Sequence, residues 1–330
     1  MSEKNGKILS GMRPTGKLHM GNMFGALDNW VKLQDEYDCF FCVVDWHALT
    51  TSYEETGNIK DSINEMVLDW LSCGIDREKA VIFKQSDVKE HAELHLLLSM
   101  ITPLSWLERI PTYKEQLKQI EGRNLATYGF LGYPLLQAAD ILLYKANAVP
   151  VGEDQAPHIE FTREIARRIN YLYGQTIFPE PATILNEYKI VPGLDNRKMS
   201  KSYNNVIEIS IHPDEIPGRV RMMITDPGRI RKNDPGNPDI CSIFAFHRIF
   251  NPHGLDNIEV SCRGGEIGCV ECKRDLSAWM QKYLEPVYSK RRELEKDPQI
   301  IRHILEEGKE KATKVAEATM EEIRSAMGLS

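Results

Sequence analysis

The sequence predicts an α/β fold, in which the first part of the chain builds a parallel sheet and the second part is mainly helical. Three observations favour this fold. Short apolar runs alternate with amphipathic segments, the run over residues 39–44 is continuously apolar, and two long helical patterns occupy the end of the chain. Such alternation is typical of parallel strands joined by helices, and a strand apolar on both faces is typical of the centre of a parallel sheet.

The predicted elements follow one another in order. Residues 7–10 form a short strand, a glycine-rich turn follows, and residues 21–37 have helical spacing. Residues 39–44 form the second strand, residues 58–73 the next helix and residues 80–83 the third strand. Ligands bind at the carboxyl ends of strands in parallel sheets, so the turn after the first strand is the first place to expect a site.

The composition of the chain argues against several classes of protein. The chain lacks an apolar run of the ~18 residues that span a bilayer, and its start lacks the apolar core of a secretory signal. We therefore expect a cytoplasmic protein with no membrane partner. The net charge of −7 opposes indiscriminate binding of nucleic acid, DNA included, but allows a local basic face that meets one RNA.

The turn after the first strand carries a candidate nucleotide motif. Residues 11–18 match a phosphate loop except at Leu18, where that loop needs Ser or Thr to hold magnesium, so an NTPase or kinase is a weak alternative. A better match, His-Met-Gly-Asn, covers residues 19–22 and opens the first predicted helix. A helix N-terminus offers free backbone N–H groups and a partial positive charge, which suit phosphate. An incidental histidine in a glycine-rich turn is the simpler interpretation.

A second motif lies far downstream. Residues 198–202 read Lys-Met-Ser-Lys-Ser. Two lysines and two serines on a mobile loop can clamp a triphosphate and neutralise departing pyrophosphate, although any two-lysine pentapeptide can also be a solvated turn. The joint occurrence of both motifs, in this order and context, is what makes them specific.

Here the sequence resembles the class I aminoacyl-tRNA synthetases, whose HIGH and KMSKS signatures correspond to residues 19–22 and 198–202. The first departs from the consensus at Met20 and Asn22, and the second matches at every position. The resemblance narrows to the tryptophanyl and tyrosyl branch, and within it to the tryptophanyl-tRNA synthetases. The segments that carry it are residues 14–22, 44–50, 133–144 and 149–155.

The resemblance implies L-tryptophan, ATP with Mg²⁺ and tRNA(Trp) as substrates and partners, and a homodimer. It implies these catalytic residues: His19, Asn22, Lys198 and Lys201. It implies this ATP-binding set: Gly11, Arg13, Pro14, Thr15, Gly21, Asn22, Gly25, Gly152, Glu153, Asp154, Val191, Lys198, Met199, Ser200, Lys201 and Ser202. It implies this tryptophan-binding set: His47, Tyr133, Gln137, Asp140 and Gln155.

One predicted helix carries the amino-acid specificity. Tyr133, Gln137, Asp140 and Tyr144 are spaced four, three and four apart, so they share one stripe, and a buried ligand would give this stripe partners. In the family, an aspartate at the position of Asp140 accepts the indole N–H. Gln137 with Asp140 also suits a tyrosine hydroxyl, but the stretch over residues 152–155 resembles the tryptophanyl form. Local capping by Asp140 is the structural alternative.

Four cysteines cluster late in the chain. Cys241, Cys262, Cys269 and Cys272 are separated by 20, 6 and 2 residues, a set that can bind zinc or a [4Fe–4S] cluster, or remain unligated. A subset of tryptophanyl-tRNA synthetases carries a similar C-x6-C-x2-C set with a [4Fe–4S] cluster. The resemblance therefore favours iron–sulfur over zinc, with a role in fixing a loop of the anticodon-reading domain.

We predict three parts. Residues 1–192 form a Rossmann-like catalytic domain, residues 193–300 hold the KMSKS loop and a helical anticodon-binding domain with the four cysteines, and residues 301–330 form an amphipathic helix able to pack back on the catalytic domain. Two alternatives stay open: a tyrosyl-tRNA synthetase, and an inactive synthetase-like iron–sulfur protein that binds RNA.

Overall fold

The computed structural model describes residues 4–111, 113, 127–185 and 191–329. Its sheet contains five parallel strands in the order β3-β2-β1-β4-β5. The strands are β1 Lys7–Met12, β2 Asp38–Val43, β3 Ala80–Lys84, β4 Ala148–Val151 and β5 Ala182–Leu185. Helices surround the sheet and make up the C-terminal region, so the predicted fold class is confirmed.

Helices connect the strands and continue after them. Those up to β5 are α1, a continuous run of Met20–Asn22, the π-helical turn Met23–Leu27 and Asp28–Leu33, then α2 Asp45–Ser52, α3 Ile59–Ser72, α4 Glu90–Ser99, α5 Leu104–Glu108, α6 Tyr128–Leu143 and α7 Ala156–Tyr173. Those after β5 are α8 Ile216–Met222, α9 Ser242–Phe250, α10 Leu255–Arg263, α11 Cys269–Leu294 and α12 Ile300–Ala326. Short 3₁₀ turns are Gln85–Asp87, Glu153–Gln155, Lys201–Tyr203, Pro213–Glu215, Pro238–Ile240 and Pro252–Gly254.

The core lies on both faces of the sheet. Successive residues of β2 alternate between two apolar clusters, with Phe41 and Val43 in one and Phe40 and Cys42 in the other. This alternation is the period of two expected of a strand, and it explains why the run is apolar throughout. Cys39 and Cys42 are buried in this core, as predicted.

The first helix is shorter than predicted. The sequence pattern extends it to residue 37, whereas the regular helix ends at Leu33. The buried Gln34 accounts for the difference, because its side chain donates to the Gly74 carbonyl at 3.0 Å and accepts from the Asp76 N–H at 2.9 Å. These bonds tie the end of the helix to the loop before β3, and the chain then turns into β2.

The C-terminal helices pack on the sheet domain. Helix α11 packs against α3, and α12 packs across the edge strand β3. A Cβ atom at Gly308 of α12 would lie 1.7 Å from the Ile82 carbonyl oxygen, so only glycine allows this approach. The domain boundaries at residues 192 and 300 stay a prediction. Within the ranges given above, no helix has both the length and the apolar character needed to cross a membrane.

Candidate functional site

The two predicted nucleotide motifs meet in space at the carboxyl end of β1. Lys201 Nζ donates to the Thr15 carbonyl at 2.6 Å, although the two residues are 186 positions apart. A Cβ atom at Gly21 would lie 2.9 Å from the His19 ring and 3.5 Å from Met199 Cβ. Backbone pairing between His19 and Glu208 joins the two segments as well. The loops that carry the predicted catalytic residues therefore form one surface.

His19 and Asn22 open α1 at this surface. The Asn22 side-chain oxygen accepts the His19 backbone N–H at 3.0 Å, so a hydrogen bond to phosphate would come from the Asn22 amide NH₂ group. Burial, and then the charge of Lys201, lower the pKa of His19 to about 4. The imidazole is therefore neutral at physiological pH and acts as a polar donor or acceptor rather than as a cation.

The KMSKS loop is held in place near its centre, and its two lysines are exposed. The side chains of Lys198, Lys201 and Ser202 are exposed, whereas Met199 is buried. Asn205, which the sequence analysis missed, holds the loop. Its Oδ1 accepts the backbone N–H of the first serine of the motif at 2.8 Å, and its Nδ2 donates to the Lys198 carbonyl at 3.2 Å. The predicted Val191 also contributes, since its carbonyl accepts the Met199 N–H at 3.1 Å.

The predicted turn after β4 lies at the carboxyl edge of the same sheet. A Cβ atom at Gly152 would lie 2.7 Å from Asp154 Oδ1, which explains the glycine. Gln155 Nε2 donates to Asp154 Oδ2 at 2.9 Å, while Glu153 and Asp154 are exposed. Carboxylate oxygens in this position can accept hydrogen bonds from ribose hydroxyls or an ammonium group.

A buried polar network surrounds Asp140 of α6. Its carboxylate is 2% exposed and receives hydrogen bonds from three side chains on three other elements. His47 Nε2 lies 2.9 Å from Oδ2, Gln85 Nε2 donates to both oxygens at 2.8 and 2.9 Å, and His91 Nδ1 lies 2.6 Å from Oδ1. His47 and Gln85 follow the carboxyl ends of β2 and β3, so the sheet edge brings these donors together.

The network keeps Asp140 ionised. Burial acts to raise its pKa, but the hydrogen bonds from His47 and His91 outweigh burial and lower the pKa to about 2. Tyr144 extends the network, since its hydroxyl lies 2.8 Å from His91 Nε2 and burial raises its pKa well above the usual range. The His91 tautomer with its proton on Nδ1 satisfies both of its hydrogen bonds.

The rest of the predicted stripe lies nearer to solvent. Tyr133 and Gln137 are half-buried on α6, and the Tyr133 ring lies 5.5 Å from the ring of His158 on α7. Burial and then His47 lower the pKa of His158 to about 4, while Asp154 acts to raise it. His158 thus lies within electrostatic reach of both the Asp140 network and the turn after β4.

Two direct partners of Asp140, Gln85 and His91, were not predicted from the sequence. A signal existed for Gln85, because it is a polar residue directly after a predicted strand. Leu136, on the same helix as Asp140, is half-buried and lines an apolar cavity of about 410 Å³ together with Trp46 and His95. The cavity lies between α2, α4 and α6.

Comparison with known proteins assigns the family. The model for "tRNA synthetases class I (W and Y)" matches residues 1–285. The chain belongs to this family. It is 52% identical to the tryptophan–tRNA ligase of Thermotoga maritima over 326 residues, which cover 98% of this chain and 99% of the relative. It is 46% identical to that of Aquifex aeolicus, with 98% and 100% covered. The predictions of an aminoacyl-tRNA synthetase and of a tryptophan–tRNA ligase are confirmed.

Solved structures of tryptophanyl-tRNA synthetases are also similar to this chain. Tryptophanyl-tRNA synthetase from Campylobacter jejuni, complexed with ADP and tryptophan, superimposes with a TM-score of 0.86 at 35% identity, covering 98% of this chain and 100% of that one. A tyrosyl-tRNA synthetase from Archaeoglobus fulgidus gives a TM-score of 0.68 at 19% identity and shares the fold alone. The tyrosine alternative therefore gains no support beyond the common architecture.

Two of the four late cysteines of the synthetase lie beside one arginine. Arg229 Nη1 is 3.9 Å from both Cys262 Sγ and Cys269 Sγ, and Cys272 Sγ is 3.5 Å from His247 Nε2. Among the residues that the structure describes, no three His, Cys, Asp or Glu side chains are grouped closely enough to hold a metal ion. The predicted metal site is therefore not confirmed.

The four thiols affect one another. Burial, and then the charges of the other three cysteines, Cys241 among them, raise the pKa of Cys272 to about 12. The four sulfur atoms thus lie within electrostatic reach of one another. A cation between two of them suits thiolates, because it offsets the charge that four deprotonated ligands would bring.

Proposed function

We propose that this synthetase binds tryptophan against Asp140 and ATP between the two loops, forms tryptophanyl-adenylate, and transfers the tryptophanyl group to tRNA(Trp). The observation that carries the proposal is the ionised, buried carboxylate of Asp140 at the carboxyl edge of the sheet. A carboxylate in this position is an acceptor for the one polar hydrogen of an indole ring. The tryptophan-bound neighbour from Campylobacter jejuni supports the same substrate.

Recognition of indole by Asp140 requires an exchange of hydrogen bonds. A carboxylate offers about four acceptor positions, and His47, Gln85 and His91 use all of them here. The indole N–H therefore takes the position of one protein donor when tryptophan binds. A phenylalanine ring cannot make this exchange, and a site built around such a bond can reject it by ~10⁴-fold.

In the activation step, the carboxylate of tryptophan attacks the α-phosphorus of ATP and pyrophosphate departs. Charge develops on the phosphate oxygens, and the groups aimed at them are His19, Asn22, the N-terminal backbone of α1, Lys198 and Lys201. Their contribution is alignment and stabilisation of charge rather than covalent catalysis. Mg²⁺ would neutralise the phosphates further when bound with ATP. The remaining predicted ATP residues line the two loops and the turn after β4.

In the transfer step, a terminal ribose hydroxyl of tRNA(Trp) attacks the carbonyl carbon of the adenylate, and AMP leaves. The hydroxyl proton passes to the phosphate of the departing AMP or to solvent. The helical region over residues 193–300 is proposed to read the anticodon.

The decisive experiment is ATP–pyrophosphate exchange with each of the twenty amino acids in turn. We expect exchange with tryptophan alone, and a Lys201→Met variant should lose ~10²-fold or more in rate. Lys17→Met is the matched control, because Lys17 is an exposed lysine that pairs with Glu208 at 3.6 Å in the same region. Exchange with tyrosine would transfer the assignment to the tyrosyl branch. Folded protein without any exchange would favour the inactive RNA-binding alternative.

We also propose a homodimer. Four apolar side chains are exposed on α4, directly after it, and at the starts of α5 and α6, and both α4 and α5 pack against α6: Leu96, Met100, Leu104 and Tyr128. A second copy of the chain would cover this patch, since exposed apolar area of this kind marks interfaces. Light scattering should give twice the chain mass, and Leu96→Glu with Met100→Glu should give monomers. A monomeric wild type would contradict the proposal.

For the four cysteines we propose a [4Fe–4S] cluster with a structural role, held by Cys241, Cys262, Cys269 and Cys272. Protein purified without oxygen should contain iron and acid-labile sulfide in equal amounts, and the four-Cys-to-Ser variant should contain neither. If the purified protein contained zinc and no iron, the site would be a zinc site. If that variant bound tRNA(Trp) as tightly as the wild type, a role in fixing the anticodon-reading loop would be excluded.

A further inference from the structure

A buried ion pair joins two distant parts of the chain. Asp69 of α3 is fully buried, and Arg291 in the last turn of α11 is 3% exposed. Arg291 Nη1 donates to Asp69 Oδ1 across a separation of 222 positions. The rest of the guanidinium is also engaged, since Nη2 contacts Glu65 Oε2 at 2.6 Å and Nε contacts Glu295 Oε1 at 2.9 Å. These bonds fix the last turn of α11 to α3.

The other oxygen of Asp69 reaches the nucleotide loop. Asp69 Oδ2 accepts the Leu18 backbone N–H at 2.7 Å, one residue before His19. The Leu18 carbonyl accepts the Ile209 N–H at 2.9 Å, and the Met20 N–H donates to the Ile207 carbonyl at 3.0 Å. The loop is thus held on one side by the backbone that follows the KMSKS motif and on the other side by the carboxylate.

The charge of Asp69 also affects the KMSKS loop. Loss of solvent lowers the pKa of Lys201, while the charges of Asp69 and Glu208 act to raise it. Asp69 therefore reaches both segments of the proposed ATP site, one through a hydrogen bond and one through its charge.

The ion pair gives little net stability. Burial raises the pKa of Asp69 to about 6, although Arg291 and the Leu18 N–H act to lower it. Removing two charges from water often costs as much as their attraction returns, and apolar pairs of similar size can replace them without loss. What an apolar pair cannot replace is the acceptor for the Leu18 N–H.

We propose that Asp69 and Arg291 are positioning residues through which the last turn of α11 sets the position of the Leu18–His19 peptide for ATP. The inference rests on the proposed function, because it assumes that this loop binds the nucleotide. Helix α11 begins at Cys269, 22 residues before Arg291, so it spans about 33 Å from the cysteine region to this contact. A change at either end of this helix is thereby carried to the loop.

Two variants and a control test the proposal in pyrophosphate exchange. Asp69→Leu combined with Arg291→Met removes the charges and the acceptor together, and KM for ATP should rise about tenfold, since misplacement by an ångström can cost ~10². KM for tryptophan should stay within about twofold and the melting temperature near that of the wild type. Asp69→Asn keeps an acceptor for Leu18 and should raise KM for ATP less. Arg302→Gln, in the exposed pair with Glu306, should change neither constant.

The outcomes separate the two proposals. An unchanged KM for ATP in the folded double variant would overturn the positioning role. A parallel loss in both Michaelis constants together with a lower melting temperature would overturn it too, because it indicates general disruption. Wild-type protein without exchange would refute the proposed function instead. ATP affinity measured by calorimetry on the same variants would then decide the positioning role separately.

Discussion

Asp140 and Asp69 are two buried aspartates on helices of the same sheet domain, and their pKa values move in opposite directions. Asp140 has a pKa of about 2, whereas Asp69 has a pKa of about 6. Burial acts to raise the pKa of both carboxyl groups. The difference lies in their partners: three side chains donate to Asp140, whereas Asp69 receives one guanidinium and one backbone N–H.

The comparison teaches that the position of a carboxylate and the stability of its charge are separate properties. Asp140 is surrounded by small polar groups that can exchange with a ligand, so its charge is supported whether or not one donor leaves. Asp69 has partners that belong to distant backbone and to another helix, so its charge is less favourable while its geometry is tightly defined. One site suits recognition and the other suits positioning.

The largest effect is expected from Asp140→Asn. The variant loses a charged acceptor, and its amide NH₂ faces donors, so kcat/KM for tryptophan should fall ~10³-fold, equivalent to about 4 kcal/mol. KM for ATP should hardly change. Exchange kinetics measure both constants, and Asp61→Asn, the same substitution at an exposed aspartate of α3, is the matched control. Comparable losses in both variants would refute the special role of Asp140.

The pH dependence of stability should separate the two aspartates. For Asp69, the folded pKa of about 6 lies above the ordinary value of 3.8, so its stabilising contribution is complete below pH 4 and is lost as pH rises to 6. The unfolding free energy of the wild type relative to Asp69→Asn should therefore fall by up to about 3 kcal/mol over this range. Asp140 should act in the opposite sense, with stability lost as pH falls from about 4 towards 2. Urea unfolding at a series of pH values measures both, and a pH-independent difference would contradict the Asp69 assignment.

A smaller effect is expected from Tyr144→Phe. This variant removes the hydroxyl that faces His91 Nε2 and leaves a buried ring nitrogen unsatisfied, at a cost of about 1–3 kcal/mol in unfolding free energy. KM for tryptophan should rise as well, because His91 holds Asp140. Phe40, whose ring stacks on Tyr144 with centroids 4.8 Å apart, offers the control Phe40→Leu, which perturbs packing without touching the polar network. A rise in KM for tryptophan of equal size in that control would argue for packing alone.

The smallest effect is expected on the surface of α12. Arg302→Gln breaks an exposed pair with Glu306 at 2.8 Å, and solvent screening leaves such pairs with little effect on stability. Denaturant unfolding should give a midpoint close to that of the wild type. A loss as large as that of the buried network would mean that burial does not distinguish these groups.

Much of the sheet could be predicted because its first three strands are apolar runs between helical patterns. Strands β4 and β5 carried no comparable signal: each has four residues, and β4 contains Pro150, which lacks a backbone N–H. Strand β4 pairs with β1 through Ile8 and Ala148.

The site residues that belong to sequence motifs could be predicted. The residues that join the site only through contacts in the folded structure could not. Asp140 and His47 followed from the helical stripe and the family resemblance. Gln85 and His91 are partners from other elements, and only the folded sheet edge brings them to the carboxylate. The role of Asp69 is harder still to predict, since nothing in an amphipathic helix indicates that one of its polar residues pairs with an arginine 222 positions later.

Gly308 has a consequence for the order of folding. It lets α12 lie directly on the backbone of β3, an edge strand made of residues that leave the ribosome more than two hundred positions earlier. Until the last helix emerges, that edge has no cover and can pair with another chain. Synthesis of this protein therefore includes an interval in which its earliest strands are complete but unprotected, and the last thirty residues end it.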